Sequence, residues 1–258
     1  MKQDFLVCPL CDHERFVPQK EADITAHPLY RKELPPKIEW VWCSACGHVF
    51  TSSYWSDKAM ALICETALAD QVARVQDAEL HRRISSRVVE RVSLFKPSGR
   101  WLDVGFGNGS LLFTAAEYGF EASGIDMKSM AVMAAAELGY SVSTNDIGEE
   151  PSRHYDVVSL ADVIEHVPYP KNMLDQARRI MKLSGVLYVA CPNMDTAVWK
   201  MMGDSNPYWS EIEHFHNFSR SRLTDLLTEC GFTVLRYGMS ERYLSGMEII
   251  CRIAAGHG

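Results

Sequence analysis

The stretch "RWLDVGFGNGSLLFTAAEYGFEASGID", residues 100–126, decides the fold. An apolar run, "RWLDV", gives way to a loop with glycine at 105, 107 and 109; a helix-like pattern, "SLLFTAAEYG", follows, and a second strand-like run ends in Asp126. Strand, glycine loop, helix and strand make one βαβ unit. Reading outward, "KSMAVMAAAELG", "YDVVSLA", "KNMLDQARRIMK", "GVLYVAC", "SRLTDLLTECG" and "FTVLRYG" continue the alternation. Alternation of this kind predicts an α/β fold, a mostly parallel sheet with helices on both faces. Ligands in such sheets bind beyond the carboxyl ends of the strands, at the topological switch point, so the residues just after each strand are the informative ones.

Towards the amino terminus the pattern changes. "VCPLC" at 7–11 and "WVWCSACGHVF" at 40–50 each hold two cysteines separated by two residues. Cys8, Cys11, Cys43 and Cys46 therefore supply a four-thiolate tetrahedron of the kind that holds structural zinc, with no position left for water. Gly47 permits the tight turn after the second pair, and "KIEWVW" and "HVFTS" read as short strands beside it, which is the outline of a zinc ribbon. Four buried free thiols are the alternative, and His13 or His48 could replace one sulfur. Cys64, Cys191, Cys230 and Cys251 lie scattered in apolar segments and read as core. Residues 54–95 carry apolar residues at helical spacing, Leu80, Ile84, Val88 and Val92 among them, and predict two helices before "KPSG" at 96–99 breaks the pattern. The expected organisation is a ribbon over 1–53, a helical connector and lid over 54–95, and the α/β domain over 96–258.

A chain of 258 residues, 47% of them hydrophobic, is long enough for one large domain or one domain with an appendage. There is no run of about 18 apolar residues for a membrane span, and "MKQDFLVCPL" lacks the basic flank and apolar centre of a secretion signal. The expectation is a cytoplasmic protein whose eight cysteines are thiols or metal ligands. A net charge of −7 gives no general attraction to polyphosphate, and Arg83, Arg87 and Arg91 read as a solvated helix face rather than a nucleic-acid groove.

The glycine loop follows the first strand, with Asp103 ahead of it and Ser110 where a dinucleotide fingerprint has its last glycine. Asp126 ends the second strand, where a carboxylate accepts both hydroxyls of a ribose, and Asp146 follows the third, within reach of an adenine amino group. Carboxylates in place of a phosphate-binding arrangement suit an adenosine ligand with a cationic sulfonium.

With "LDVGFGNG", "GID" and "DVVSLADVIEHV" in this order, residues 96–240 resemble the class I S-adenosylmethionine-dependent methyltransferases. The resemblance implies a Rossmann-like seven-stranded sheet and S-adenosylmethionine as cofactor. It places Gly105 and Gly107, with Gly109 in the same loop, against the methionine part, Asp103 near its ammonium group, and Asp126 with Met127 at the ribose. Asp146 and Ile147 fall at the adenine, and Ala161 ends strand four. "WCSACGHVFTSSYWSDKAMALI" is similar to a subgroup that joins a zinc ribbon to this fold and acts on sugars, polysaccharide precursors and secondary metabolites, although the subgroup's proline and acid-rich stretch is replaced here by "TSSYWSDK".

Methyl transfer by in-line displacement needs positioning and, for a hydroxyl acceptor, removal of a proton. "DVIEHV", 162–167, directs Asp162, Glu165 and His166 to the methyl end of the cofactor, and "EIEHFHNFS", 211–219, adds Glu213, His214 and His216 in a long loop. His166, Glu165, His214 and His216 are the candidate catalytic residues; the plainer alternative is that Glu165 and His166 cap a helix and support the cofactor loop. Tyr208 and Trp209 offer walls for an acceptor, with core packing the alternative and the stronger reading for Trp199. The Glu-His segment followed by a distant histidine also resembles the metal-dependent RNA 3′-terminal and ubiquinone-pathway O-methyltransferases. That implies a second divalent ion, magnesium, manganese or zinc, at Asp162, Glu165, His166 and His214. Three functions follow: O-methylation of a small-molecule acceptor, methylation of RNA, which the acidic balance counts against, or a non-catalytic module that docks a protein. The ribbon could cover the substrate mouth, form a homodimer contact or do neither.

Overall fold

The computed structural model describes residues 1–67 and 75–256, and the side chains of 1–63 and 78–256. Cys64 therefore has a described backbone but no described side chain. In chain order the amino-terminal part contains β1 (Lys2–Asp4), β2 (Phe16–Asp23), β3 (Lys37–Cys43), β4 (Val49–Thr51) and β5 (Ser53–Trp55). Two helices follow, α1 (Asp57–Ala67) and α2 (Val75–Ser93). The α/β part runs β6 (Arg100–Val104), α3 (Ser110–Glu117), β7 (Glu121–Ile125), α4 (Ser129–Glu137), β8 (Ser141–Ser143), β9 (Tyr155–Ala161), α5 (Pro170–Ile180) and β10 (Met181–Pro192). It continues through α6 (Ala197–Met202), β11 (His216–Asn217), α7 (Arg220–Glu229), β12 (Phe232–Met239) and β13 (Gly246–Ile253).

The main sheet has seven strands in the order β12-β13-β10-β9-β6-β7-β8, as expected. Strands β10, β9, β6, β7 and β8 are parallel, and only β13 runs against its neighbours. The chain moves outward from β6 to β7 and β8, then crosses back to place β9 on the other side of β6. The switch point therefore lies between the carboxyl ends of β6 and β9, at Val104 and Ala161. Every residue of β9 is buried, which is why "YDVVSLA" reads as a nearly continuous apolar run. Its serine hydroxyl is satisfied internally: Ser159 accepts from Trp101 Nε1 at 2.8 Å and donates to Asp103 at 2.6 Å. Val88, Val89 and Val92 of α2 pack with Trp101, Leu111 and Ala115, whereas Leu80 is 56% exposed, so the apolar stripe of α2 begins one turn later than its spacing suggests.

The second sheet has the order β11-β4-β3-β2. One of its two outer strands is not amino-terminal: β11, from the long loop after β10, pairs His216 with Phe50 and Asn217 with Val49. The apolar packing is shared in the same way. Ile24, Leu29, Leu34, Trp40 and Trp55 form one buried cluster with Trp199, Trp209, Ile212 and Phe215. A short sheet with little core of its own thus gains burial from the long loop after β10.

Candidate active site

A cleft of about 1060 Å³ opens at the switch point. Its first end is built by the glycine loop. Gly105 has φ +64, and a Cβ there would come within 2.8 Å of Val163, so the backbone lies where no side chain fits. Gly107 donates its amide to Asp126 Oδ2 at 2.8 Å, and Lys128 N donates to Oδ1 at 2.8 Å. Both carboxylate oxygens are aimed before any ligand arrives, and each keeps a lone pair for a hydroxyl. Asp126, Met127 and Ala161 line the cleft, as do Asp146 and Ile147, with Asp146 also accepting from Gly148 N at 2.7 Å. Two residues of the expected cofactor set stand back from the surface. Gly109, φ +76, turns the chain into α3 under the ring of Phe113. Asp103 is 2% exposed behind the loop, where burial pushes its carboxyl up to about 6 against the hydrogen bond from Ser159.

At the second end Glu165, His166, His214 and Tyr208 converge. Glu165 is buried at 1% exposure with no partner for Oε2 among the described residues, and burial, reinforced by Asp162, raises its carboxyl well above the ordinary range. His166 Nδ1 lies 3.0 Å from the carbonyl of Glu213. A carbonyl only accepts, so Nδ1 carries a hydrogen and Nε2 is the ring nitrogen left to act as a base. His214 stands edge-on to His166 with ring centroids 4.6 Å apart; burial first, then His166, lowers its pKa to about 3. Its Nδ1 has no partner among the described residues. Tyr208 stacks between His214 and Trp199, at centroid distances of 5.5 and 5.3 Å.

Two expected site residues lie away from the cleft, and a third lines it with its carboxylate already paired. His216 does not reach the cleft: it is 1% exposed in the seam between the two sheets, with Nε2 2.9 Å from the carbonyl of Val167 and Nδ1 3.0 Å from His48 Nε2. The carbonyl again fixes the tautomer, so His48 donates and no nitrogen of His216 remains for chemistry. Trp209 is 8% exposed, packed edge-on to Trp40 at 5.7 Å with its indole nitrogen donating to the carbonyl of Gly203 at 3.0 Å. It is core and not an acceptor wall. Asp162 leaves the expected metal set because Arg242 Nε donates to its Oδ2 at 2.7 Å.

Sequence reasoning missed Glu211, Arg242 and Tyr243 in the cleft. Burial opposes ionisation of Glu211, yet the hydrogen bond from His27 and the charges of neighbouring imidazoles hold its carboxyl down to about 2. Arg242 and Tyr243 had a signal: β12 runs parallel to β10, so the loop leaving its carboxyl end must fall on the cleft edge.

Two ligand clusters are present among the described residues. The Sγ atoms of Cys8 and Cys46 are 3.7 Å apart and those of Cys11 and Cys43 3.6 Å. Zinc–sulfur bonds of about 2.3 Å in a tetrahedron require edges of about 3.8 Å, so the four sulfurs are spaced to hold zinc. Asp12 and Gly47 take left-handed backbone at φ 58 and 70 after the second cysteine of each pair, giving two equivalent knuckles. In the cleft, ligand atoms of Glu165, His166 and His214 all lie within 4.8 Å of one another.

Comparison with known proteins supports the fold. The 1,6-didemethyltoxoflavin-N1-methyltransferase of Burkholderia thailandensis superposes with a TM-score of 0.60 over 82% of this chain and 98% of its own, at 12% identity. The magnesium protoporphyrin IX methyltransferase of Synechocystis gives 0.57 over 71% and 89%, at 20% identity. A ubiquinone biosynthesis O-methyltransferase of Yersinia pestis is 29% identical over 109 residues, 39% of this chain. That match spans 45% of the length of the curated relative. The model of one family, described as a methyltransferase domain, matches residues 76–237, from α2 through the cleft to β12, and the chain belongs to that family.

Proposed function

We propose that the protein methylates a hydroxyl of a small-molecule acceptor, such as a sugar, a polysaccharide precursor or a secondary metabolite, using S-adenosylmethionine. The observation that carries this reading is a single cleft with two chemically different ends: a glycine loop with pre-aimed carboxylates at one, and an imidazole pair beside a buried carboxyl at the other. S-adenosylmethionine supplies an electrophilic methyl group on a sulfonium. Asp126 receives the ribose hydroxyls, Ile147 packs against the adenine, and Gly105 and Gly107 allow the backbone to approach the methionine part. His166 Nε2 accepts the proton of the acceptor hydroxyl, its ring held by Glu213. Glu165 keeps its proton at pH values where an ordinary carboxyl has lost it, and donates a hydrogen bond to the acceptor.

A second reading of the same end has a specific observation behind it. Glu165 Oε2 and His214 Nδ1 are buried without partners among the described residues and stand with His166 at ligand spacing, so the trio fits a divalent ion that binds the acceptor oxygen. The amino-terminal knot fits zinc in a structural role.

The test is calorimetric titration with S-adenosylmethionine and S-adenosylhomocysteine on wild type and Asp126→Ala, with metal content measured on the same samples. Binding that weakens at least about 100-fold in Asp126→Ala is expected, because a charged acceptor of several hydrogen bonds is lost. If neither ligand binds wild type, the reading fails.

A further inference from the structure

Residues 209–217 form the back of the acceptor end and carry His214. The amino-terminal part grips this segment at successive positions. Trp40 Nε1 donates to the carbonyl of Trp209 at 2.8 Å, Trp55 Nε1 to that of Ile212 at 2.6 Å, and Thr51 N to that of Phe215 at 2.9 Å. His27 meets Glu211 at 3.1 Å, His48 donates to His216, and β4 pairs with β11. On its other side the segment rests on the carbonyl of Glu165, which accepts from Phe215 N at 2.8 Å and His216 N at 3.3 Å. The catalytic loop is thus a middle layer between the ribbon sheet and Glu165.

The cofactor end is supported differently. Asp126 is held by backbone amides of the glycine loop and of its own loop, Asp146 by one of its own, and among the described residues lining the cleft none comes from 1–55. The knot itself stands directly behind the grip: Cys43 N donates to the carbonyl of His48, and β4 starts at the next residue. A short sheet closed by four cysteines draws its folding free energy from the metal.

We infer that the four-cysteine knot sets the geometry of the acceptor end and leaves the cofactor end independent, with Trp40, His48 and Trp55 as positioning residues for the His214 loop. The inference rests on reading the knot as a zinc site and the cleft as a methyl-transfer site. Emptying the knot frees β4, then β11, then His214, while the βαβ unit that holds the cofactor keeps its own contacts.

The experiment uses the full chain in three forms: as purified, stripped of metal by a thiol-directed mercurial with a chelator and then repleted with zinc, and Trp55→Phe. Amide hydrogen exchange is followed over 211–217 and over β6, and S-adenosylhomocysteine affinity is measured by calorimetry on the same samples. Stripping speeds exchange over 211–217 by about tenfold or more, as expected for local opening, and zinc reverses it. Exchange over β6 and the affinity for S-adenosylhomocysteine change by less than about threefold. Trp55→Phe keeps its zinc and speeds exchange over 211–217 by about fivefold, the loss of one hydrogen bond. Unchanged exchange over 211–217 after verified loss of zinc overturns the inference, and so does parallel loss of S-adenosylhomocysteine binding. A wild-type chain that carries no zinc yet protects 211–217 overturns the metal dependence. Failure of as-purified protein to bind S-adenosylhomocysteine sinks the cofactor reading instead, and the exchange measurements still decide whether the knot holds the loop.

Discussion

His214 and His216 are two residues apart, and the pairs they form differ in one respect that matters. His214 with His166 faces the cleft; His216 with His48 fills the seam between the sheets. Burial is nearly the same, 6% exposure against 1%, and so is basicity, lowered mainly by burial to about 3 and about 4. Hydrogen bonding separates them. Both nitrogens of His216 are used, whereas His214 Nδ1 is unused and His166 offers Nε2 to open space. Burial and low basicity therefore do not identify a working imidazole; unspent capacity facing a cavity does.

The largest effect expected from this contrast is on turnover. His166→Gln keeps an amide to donate to the Glu213 carbonyl but removes the base, so kcat should fall about 10²- to 10⁴-fold with S-adenosylhomocysteine affinity nearly unchanged. His216→Ala should act on stability instead. It leaves the His48 N–H and the Val167 carbonyl unpaired and opens space beside Phe218, costing about 2–4 kcal/mol in urea unfolding. If His216→Ala reduces turnover as much as His166→Gln at unchanged stability, the division between the pairs is wrong.

Much of the cofactor end was legible because its chemistry is local. A strand, a glycine loop and a carboxylate at the next strand end fix one another within one βαβ unit, and Gly105, Gly107, Asp126, Asp146 and Ile147 line the cleft as expected. The knot was legible for the same reason, since each knuckle is four residues long. The acceptor end was not, because its geometry depends on a contact between residues 48 and 216. In a regular strand His214 and His216 would face the same way. Here a turn at 212–213 and the shared Glu165 carbonyl send them apart, and nothing in "EIEHFHNFS" announces either feature. The surroundings of Trp209 and Asp162 were hidden for a related cause: their partners, Trp40 and Arg242, come from distant segments.

A smaller effect should appear with pH. The folded pKa of His216, about 4, lies below its ordinary 6.5, so the unfolded chain takes up the proton first. Its contribution to stability is complete above about pH 6.5 and is lost as pH falls, amounting to about 2 kcal/mol at pH 5. The pKa of His48, lowered by burial and by His216, moves stability in the same direction. Urea midpoints at pH 7 and pH 5 should therefore separate more in wild type than in a His48→Phe/His216→Phe double variant. Equal separations would mean that the seam pair titrates normally.

The smallest effect tests where the acceptor wall ends and the chemistry begins. Tyr208 donates its hydroxyl to the carbonyl of Leu244 at 2.7 Å, tying the His214 stack to the loop that carries Arg242 and Tyr243. Burial raises its pKa, so the phenol stays protonated and is no base at neutral pH. Tyr208→Phe preserves the ring between Trp199 and His214 and removes only the tether, worth about 1 kcal/mol. Acceptor KM should rise about fivefold with kcat held, since a looser wall weakens ground-state and transition-state binding alike. A fall in kcat at constant KM would instead give the hydroxyl a part in the reaction, and the acceptor end would then extend past the imidazole pair.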